Sequence, residues 1–241
     1  MSPFLFPTTR WIRLLLLGLL LLPLRADPAP VSTLAGRISW ARLKTSSDTW
    51  DRHARSDPKL LSFVRNSTSL NIDLTWHAAD VESLRQMCIY PFLFSEGIDR
   101  IHDEKGLANL REYLSRHGFI FVDSCINTNV NPDPDVFLGQ QMATFKSILP
   151  DATLAPIPAG SGIFHNCFDL REGLPHTYMN NVYRPNWARH GLYGVTANHR
   201  LVGIISLSGL QCGWDGMKPD REHIKDCMEM MVNIYVYALT H

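Results

Sequence analysis

Apolar and polar positions along the chain alternate between two periods, and the changes of period outline its elements. Residues 103–125 (DEKGLANLREYLSRHGFIFVDSC) show this most plainly. Leu107, Leu110 and Leu114 recur at spacings of three and four, with Tyr113 widening the stripe, while Asn109, Arg111, Glu112 and Arg116 face away. Asp103 and Glu104 place negative charge where a helix dipole favours it, and Gly118 offers a left-handed stop. Phe119, Ile120, Phe121 and Val122 then form an unbroken apolar run, which suits a strand covered on both faces.

The same reading extends along the chain. Residues 36–43 (GRISWARL) predict a first strand, and Asp57-Pro58 opens a helix that turns Leu60, Leu61 and Val64 inward, with the aspartate as its cap. Residues 70–76 alternate as a half-wet strand, 81–86 form a helical turn, and 87–94 a buried strand disturbed by Pro91. A helix follows over 136–149, with Phe137, Met142, Phe145, Ile148 and Leu149 inward, then a short strand at 154–158. Residues 169–190 carry Tyr178, Tyr183 and Trp187 but no period, and read as a long loop or lid. Two strands at 192–197 and 201–207 are joined at Asn198-His199-Arg200, a glycine-punctuated loop spans 208–216, and the last helix covers 221–238. Its stripe of Ile224, Cys227, Met228, Met231, Ile234, Tyr235 and Ala238 is core packing. Strands alternating with helices predict an α/β domain with a mainly parallel sheet, and no linker divides residues 36–241.

Composition changes this picture at two points. Acidic and basic residues balance at 23 each, which argues against a nucleic-acid footprint. Arg10 and Arg13 precede an apolar run at 14–22 broken only by Gly18, the shape of a secretory signal peptide over residues 1–26 with a spacer at 27–35. The body is therefore expected outside the cytoplasm, in the periplasm, with an uncleaved inner-membrane anchor as the alternative and the only membrane contact. An odd count of five cysteines leaves at least one unpaired in the monomer. Cys88 in an apolar strand and Cys227 on an apolar helix face read as small hydrophobes. Cys125 and Cys212 follow predicted strands, and stand open as a disulfide, two buried thiols or one reactive group.

YPFLFSEG at 90–97, NLREYLSRHGFIFVD at 109–123, GIFHNCFDL at 162–170, LVGIISLSGLQCGWDG at 201–216 and VNIYVYALTH at 232–241 occur in order along the chain. By these segments the chain resembles a bacterial family known as domain of unknown function 4159, over roughly residues 36–241. That family is similar in architecture to class I glutamine amidotransferase-like domains. The resemblance implies a three-layer flavodoxin-like sandwich with a mainly parallel central sheet, a C-terminal hairpin and a final core helix. It brings no activity, cofactor or catalytic set. Ser124, Ser161-Gly162 and Leu210-Gln211-Cys212 depart from the family pattern, which points to a weakened site.

In such a sheet the loops after residues 94, 122 and 207 converge at one edge, where ligands bind in open α/β sheets. The first reading is a non-catalytic module of the cell envelope that binds a small ligand or an envelope protein. Glu96, Gly97, Ser124, Ser208, Gly209, Gly213, Trp214 and Asp215 are its candidate ligand-binding residues, with Trp187 and Tyr183 as further contacts. The alternatives are hydrolases. In one, Cys125 is the nucleophile, His165 the base and Asp123 a third member, although no Gly-x-Cys-x-Gly elbow surrounds residue 125. In the other, Asp123, His165 and Asp215 hold zinc or magnesium. No cofactor is assigned.

Overall fold

The protein is described by a computed structural model that covers residues 36–126, 130–171, 173–174, 191–216 and 221–241, with side chains of the last stretch from 224 onward. The leader and spacer readings at 1–35 lie outside these residues, as do Tyr178, Tyr183 and Trp187. Among the described residues no helix is long and apolar enough to cross a membrane.

One seven-stranded sheet organises the fold. Its strands are β1 (Ala41–Lys44), β2 (His77–Asp80), β3 (Phe92–Ser95), β4 (Phe119–Asp123), β5 (Thr153–Pro156), β6 (Leu192–Ala197) and β7 (Arg200–Ser206). They lie in the order β2-β1-β3-β4-β7-β6-β5. Strands β1 to β4 and β7 run parallel, and β5 and β6 complete one edge in antiparallel pairing. The helices are α1 (Asp57–Ser67), α2 (Leu84–Met87), α3 (Glu104–Ser115), α4 (Pro134–Ile148), α5 (Leu210–Asp215) and α6 (Arg221–Thr240).

Alternation along the strands sorts the core into two layers. Leu93, Ile120, Val122 and Ile205 point to the side covered by Leu110 and Leu114 of α3 and Phe145 of α4. Phe92, Phe94, Phe119, Phe121 and Ile204 point to the other, against Leu60 and Leu61 of α1, Trp214 of α5 and Met231 and Tyr235 of α6. A fully buried side chain of this size contributes about 1.5–3 kcal/mol, so the aromatic layer fixes the register of the central strands. The expected three-layer α/β sandwich is present.

The crossovers reverse direction between β1 and β3. The chain leaves β1 through α1 on one face and leaves β3 through α3 on the other. A crevice opens at such a reversal, outside the carboxyl ends of the strands.

Several boundaries differ from the sequence reading, each for a local reason. The strand expected at 70–76 is a single bridge between Ile38 and Ile72, because the Asp73 carboxylate accepts from Thr75 N at 3.0 Å and turns the chain before β2 begins. The first part of 87–94 belongs to α2, capped by Ser83, so Cys88 is exposed rather than buried in a strand and Pro91 stands just before β3. Asp57 is the first residue of α1 rather than its cap, since its carboxylate faces the sheet. The left-handed residue after α3 is His117, at φ 69°. Gly118 is needed for space instead, because a Cβ there would strike the Tyr113 ring. Residues 210–215 form a helix where a loop was expected.

Candidate functional site

The loop after β1 is held from beneath by a buried charge pair. Arg42 donates through Nε to Asp57 Oδ2 at 2.6 Å and through Nη2 to Oδ1 at 2.7 Å, and both side chains are 0% exposed. Trp40 Nε1 adds a bond to Asp57 Oδ2 at 2.9 Å, and the guanidinium lies 4.4 Å from the centre of the Phe94 ring. The remaining arm of Arg42 donates to the carbonyl of Arg52 at 2.9 Å. That bond fixes the backbone next to His53, which adopts a left-handed conformation at φ 60°.

The loops after β4 and β7 are tied by a carboxylate at a helix start. Asp123 ends β4 and accepts from Leu210 N at 3.0 Å and Gln211 N at 2.9 Å, the first amides of α5. Its burial pushes the carboxyl up to about 7 against the lowering effect of these bonds. Gly209 permits the approach, since a Cβ there would lie 3.3 Å from the Ser124 carbonyl oxygen. Cys212 is thereby set against Cys125.

A chain of polar side chains results. The sulfurs of Cys125 and Cys212 are 2.8 Å apart, both as thiols. Cys125 Sγ is 3.4 Å from His53 Nε2, and His53 Nδ1 is 2.6 Å from Asp215 Oδ2. Ser56 donates to the other oxygen of Asp215. The hydrogen bond from Cys212 draws the Cys125 thiol down, helped by His53, and the same contact with burial holds Cys212 up. His53 is raised, chiefly by its bond to Cys125 and also by Asp215, against burial.

Beside this chain lies a cavity of about 140 Å³ at the β1/β3 crevice. Thr45, Ser47, Thr49, Arg52, Glu96, Asp99, Arg100, Ser124 and Asn131 give it a polar lining. Glu96 accepts from Gln211 Nε2 at 2.6 Å and from Ser124 Oγ at 3.4 Å, and Asn131 Nδ2 donates to Ser124 Oγ at 2.9 Å. Burial pushes the Glu96 carboxyl up to about 8, against the effects of Gln211, Arg52 and Arg42. Gly97 leaves room for Asp99 and Gln141, and Ser208 Oγ and Gln211 Oε1 are buried without a hydrogen-bond partner among the described residues.

Most of the expected residues therefore meet at one rim, and four do not serve as foreseen. Asp123 is 0% exposed and held by the first amides of α5, so it is not the third member of a catalytic set. His165 binds Asp169 Oδ1 at 2.8 Å and the Ala159 carbonyl at 3.0 Å, so it is not the imidazole on Cys125. Trp214 is 0% exposed between Trp40 and Phe94, a core residue rather than a contact surface. Gly213 packs against Cys227 of α6 rather than a ligand. The Asp123–His165–Asp215 metal set does not assemble, because each member is engaged with a different partner. His53 and Arg52 were missed. Their one signal was position, in the loop that follows the first predicted strand.

No curated protein matches the chain. A family model, Domain of unknown function (DUF4159), matches residues 39–239, a span that takes in every residue of this site, and the chain belongs to that family.

Proposed function

We propose that the protein is an exported binding module of the bacterial cell envelope, with a small polar ligand seated in the crevice between β1 and β3. The observation that carries this reading is the polar cavity at the point where the crossovers reverse. A cavity of about 150 Å³ holds benzene, so this one suits a ligand of roughly six to ten heavy atoms. Arg52 and Arg100 on its wall can take a carboxylate and Asp99 an ammonium, a pattern that matches a zwitterion such as a free amino acid. Glu96 keeps its proton up to about pH 8 and serves as a neutral hydrogen-bonding group. The leader pattern at 1–26 supports export.

The test is a thermal-shift and calorimetric screen of the 20 common amino acids and short dicarboxylates against the mature chain. At least one should raise the melting temperature, and Arg52→Ala should abolish that shift. A flat panel would remove the zwitterion reading.

A second reading, a cysteine hydrolase, draws on the Cys125–His53–Asp215 chain, which has the order of a nucleophile, a base and an orienting carboxylate. Against it, Cys125 is 2% exposed and Asp123 0%. It requires hydrolysis of ester or amide probes that disappears in both Cys125→Ser and His53→Ala.

A further inference from the structure

His53 Nε2, Cys125 Sγ and Cys212 Sγ all lie within 4.8 Å of one another, and the two cysteines are buried. The donors come from the loops after β1 and β4 and from α5, the helix that follows β7, so the fold itself brings them together. Thiolates and imidazoles bind tetrahedral zinc at about 2.3 Å and 2.0–2.1 Å, which separates sulfur from nitrogen by about 3.5 Å and sulfur from sulfur by about 3.7 Å. The Cys125–His53 separation of 3.4 Å meets the first requirement. The sulfurs, at 2.8 Å, would move apart by roughly 1 Å on binding.

The surroundings of His53 give an independent argument. A metal-bound imidazole presents one nitrogen to the ion and its other N–H to a carboxylate, which fixes the tautomer and aims the ring. His53 has this arrangement: Nε2 faces the sulfurs, Nδ1 meets Asp215, and Asp215 is itself held by Ser56. Two sulfurs and one imidazole are a soft donor set, suited to zinc(II) or copper(I) and poorly suited to magnesium or calcium.

We propose that His53, Cys125 and Cys212 form a three-ligand site for a thiophilic d10 cation, zinc(II) or copper(I), with Asp215 as the positioning residue for His53. Binding converts both thiols to thiolates and releases two protons to solvent, leaving a neutral centre with zinc and a singly negative one with copper. Zinc would keep a fourth position open, whereas three donors complete copper(I). The site stands independently of the cleft ligand: a failed amino-acid screen with an intact metal titration removes only the cleft reading.

The experiment uses the mature chain, reduced, stripped with chelator and handled without oxygen. Zinc(II) and copper(I) are titrated separately against competing chelators, with bound metal counted by mass spectrometry. One equivalent of one cation is expected. Cys125→Ser or Cys212→Ser should weaken it at least ~100-fold and Asp215→Asn about 10–100-fold, while Cys88→Ser leaves it unchanged. Cobalt(II) loaded into the unmutated protein should show thiolate-to-cobalt charge transfer, a readout that needs no variant to fold. The proposal is overturned if neither cation binds at one equivalent, if cobalt shows no thiolate ligation, or if the Cys125→Ser/Cys212→Ser double variant keeps full affinity. A Cys125–Cys212 disulfide in mature protein taken from its native compartment would overturn it as well.

Discussion

Arg42 and Asp57 lie wholly out of water, and their pairing matters less for its Coulomb attraction than for what either becomes alone. Arg42→Ala would leave a buried carboxylate whose remaining side-chain bond is to Trp40, and denaturant unfolding should show a loss on the order of 3–5 kcal/mol. Glu96 acts in the opposite sense. It is faced by Gln211, Cys125, Arg52 and Arg42, and its carboxyl is raised from 4.5 to about 8. Below about pH 4.5 folded and unfolded chains are both protonated there; between 4.5 and 8 only the folded chain keeps the proton. Stability should therefore fall as pH rises across that window and level off above it. Glu96→Gln should flatten this slope and raise stability at pH 8 by roughly 2–4 kcal/mol, measured as melting temperature against pH. The Arg42–Asp57 pair was not legible in the sequence. Arg42 read only as part of the strand expected at 36–43, and Asp57 as a cap, because periodicity reports which face a residue takes and not which partner waits there. His53 was missed for the same reason: residues 45–56 have no period, and only the meeting of that loop with the loop after β4 and with α5 gives the histidine a role.

Among the elements, β4 and the body of α3 were legible, since a four-residue apolar run and a clean stripe leave one interpretation each, although the left-handed stop after α3 falls at His117 and not at Gly118. Residues 70–76 alternate just as well, yet the Asp73 side chain captures a backbone amide and prevents a strand. The helix at 210–215 was hidden because its start is supplied by Asp123, 87 residues earlier in the chain. Its contact with α6 is tight: a Cβ on Gly213 would strike the Cys227 side chain, whose own atoms are buried. Gly213→Ala should therefore destabilise the protein by about 1–3 kcal/mol, and Cys227→Gly should recover part of that loss in a double-mutant cycle read by urea denaturation. An additive result would mean that the two helices are not held by this contact.

At the scale of the molecule, the chemistry gathers on one rim of the sheet while its thiols divide by depth. Cys88 and Cys167 are exposed, and Cys125, Cys212 and Cys227 are buried. Iodoacetamide on the reduced native protein should modify the first pair promptly and the other three only with denaturant, as followed by peptide mass spectrometry. Prompt labelling of Cys125 would move the balance to the hydrolase reading. The opposite rim is lined by the amino ends of the central strands, with His117, His199 and Arg200 beside the last turn of α6. There His241 lies near Pro91, at the far end of the sheet from Glu96 and Cys125. A chip or resin linked through His241 would thus hold the molecule with its crevice pointing outward, so immobilised protein should capture the same ligands as protein free in solution.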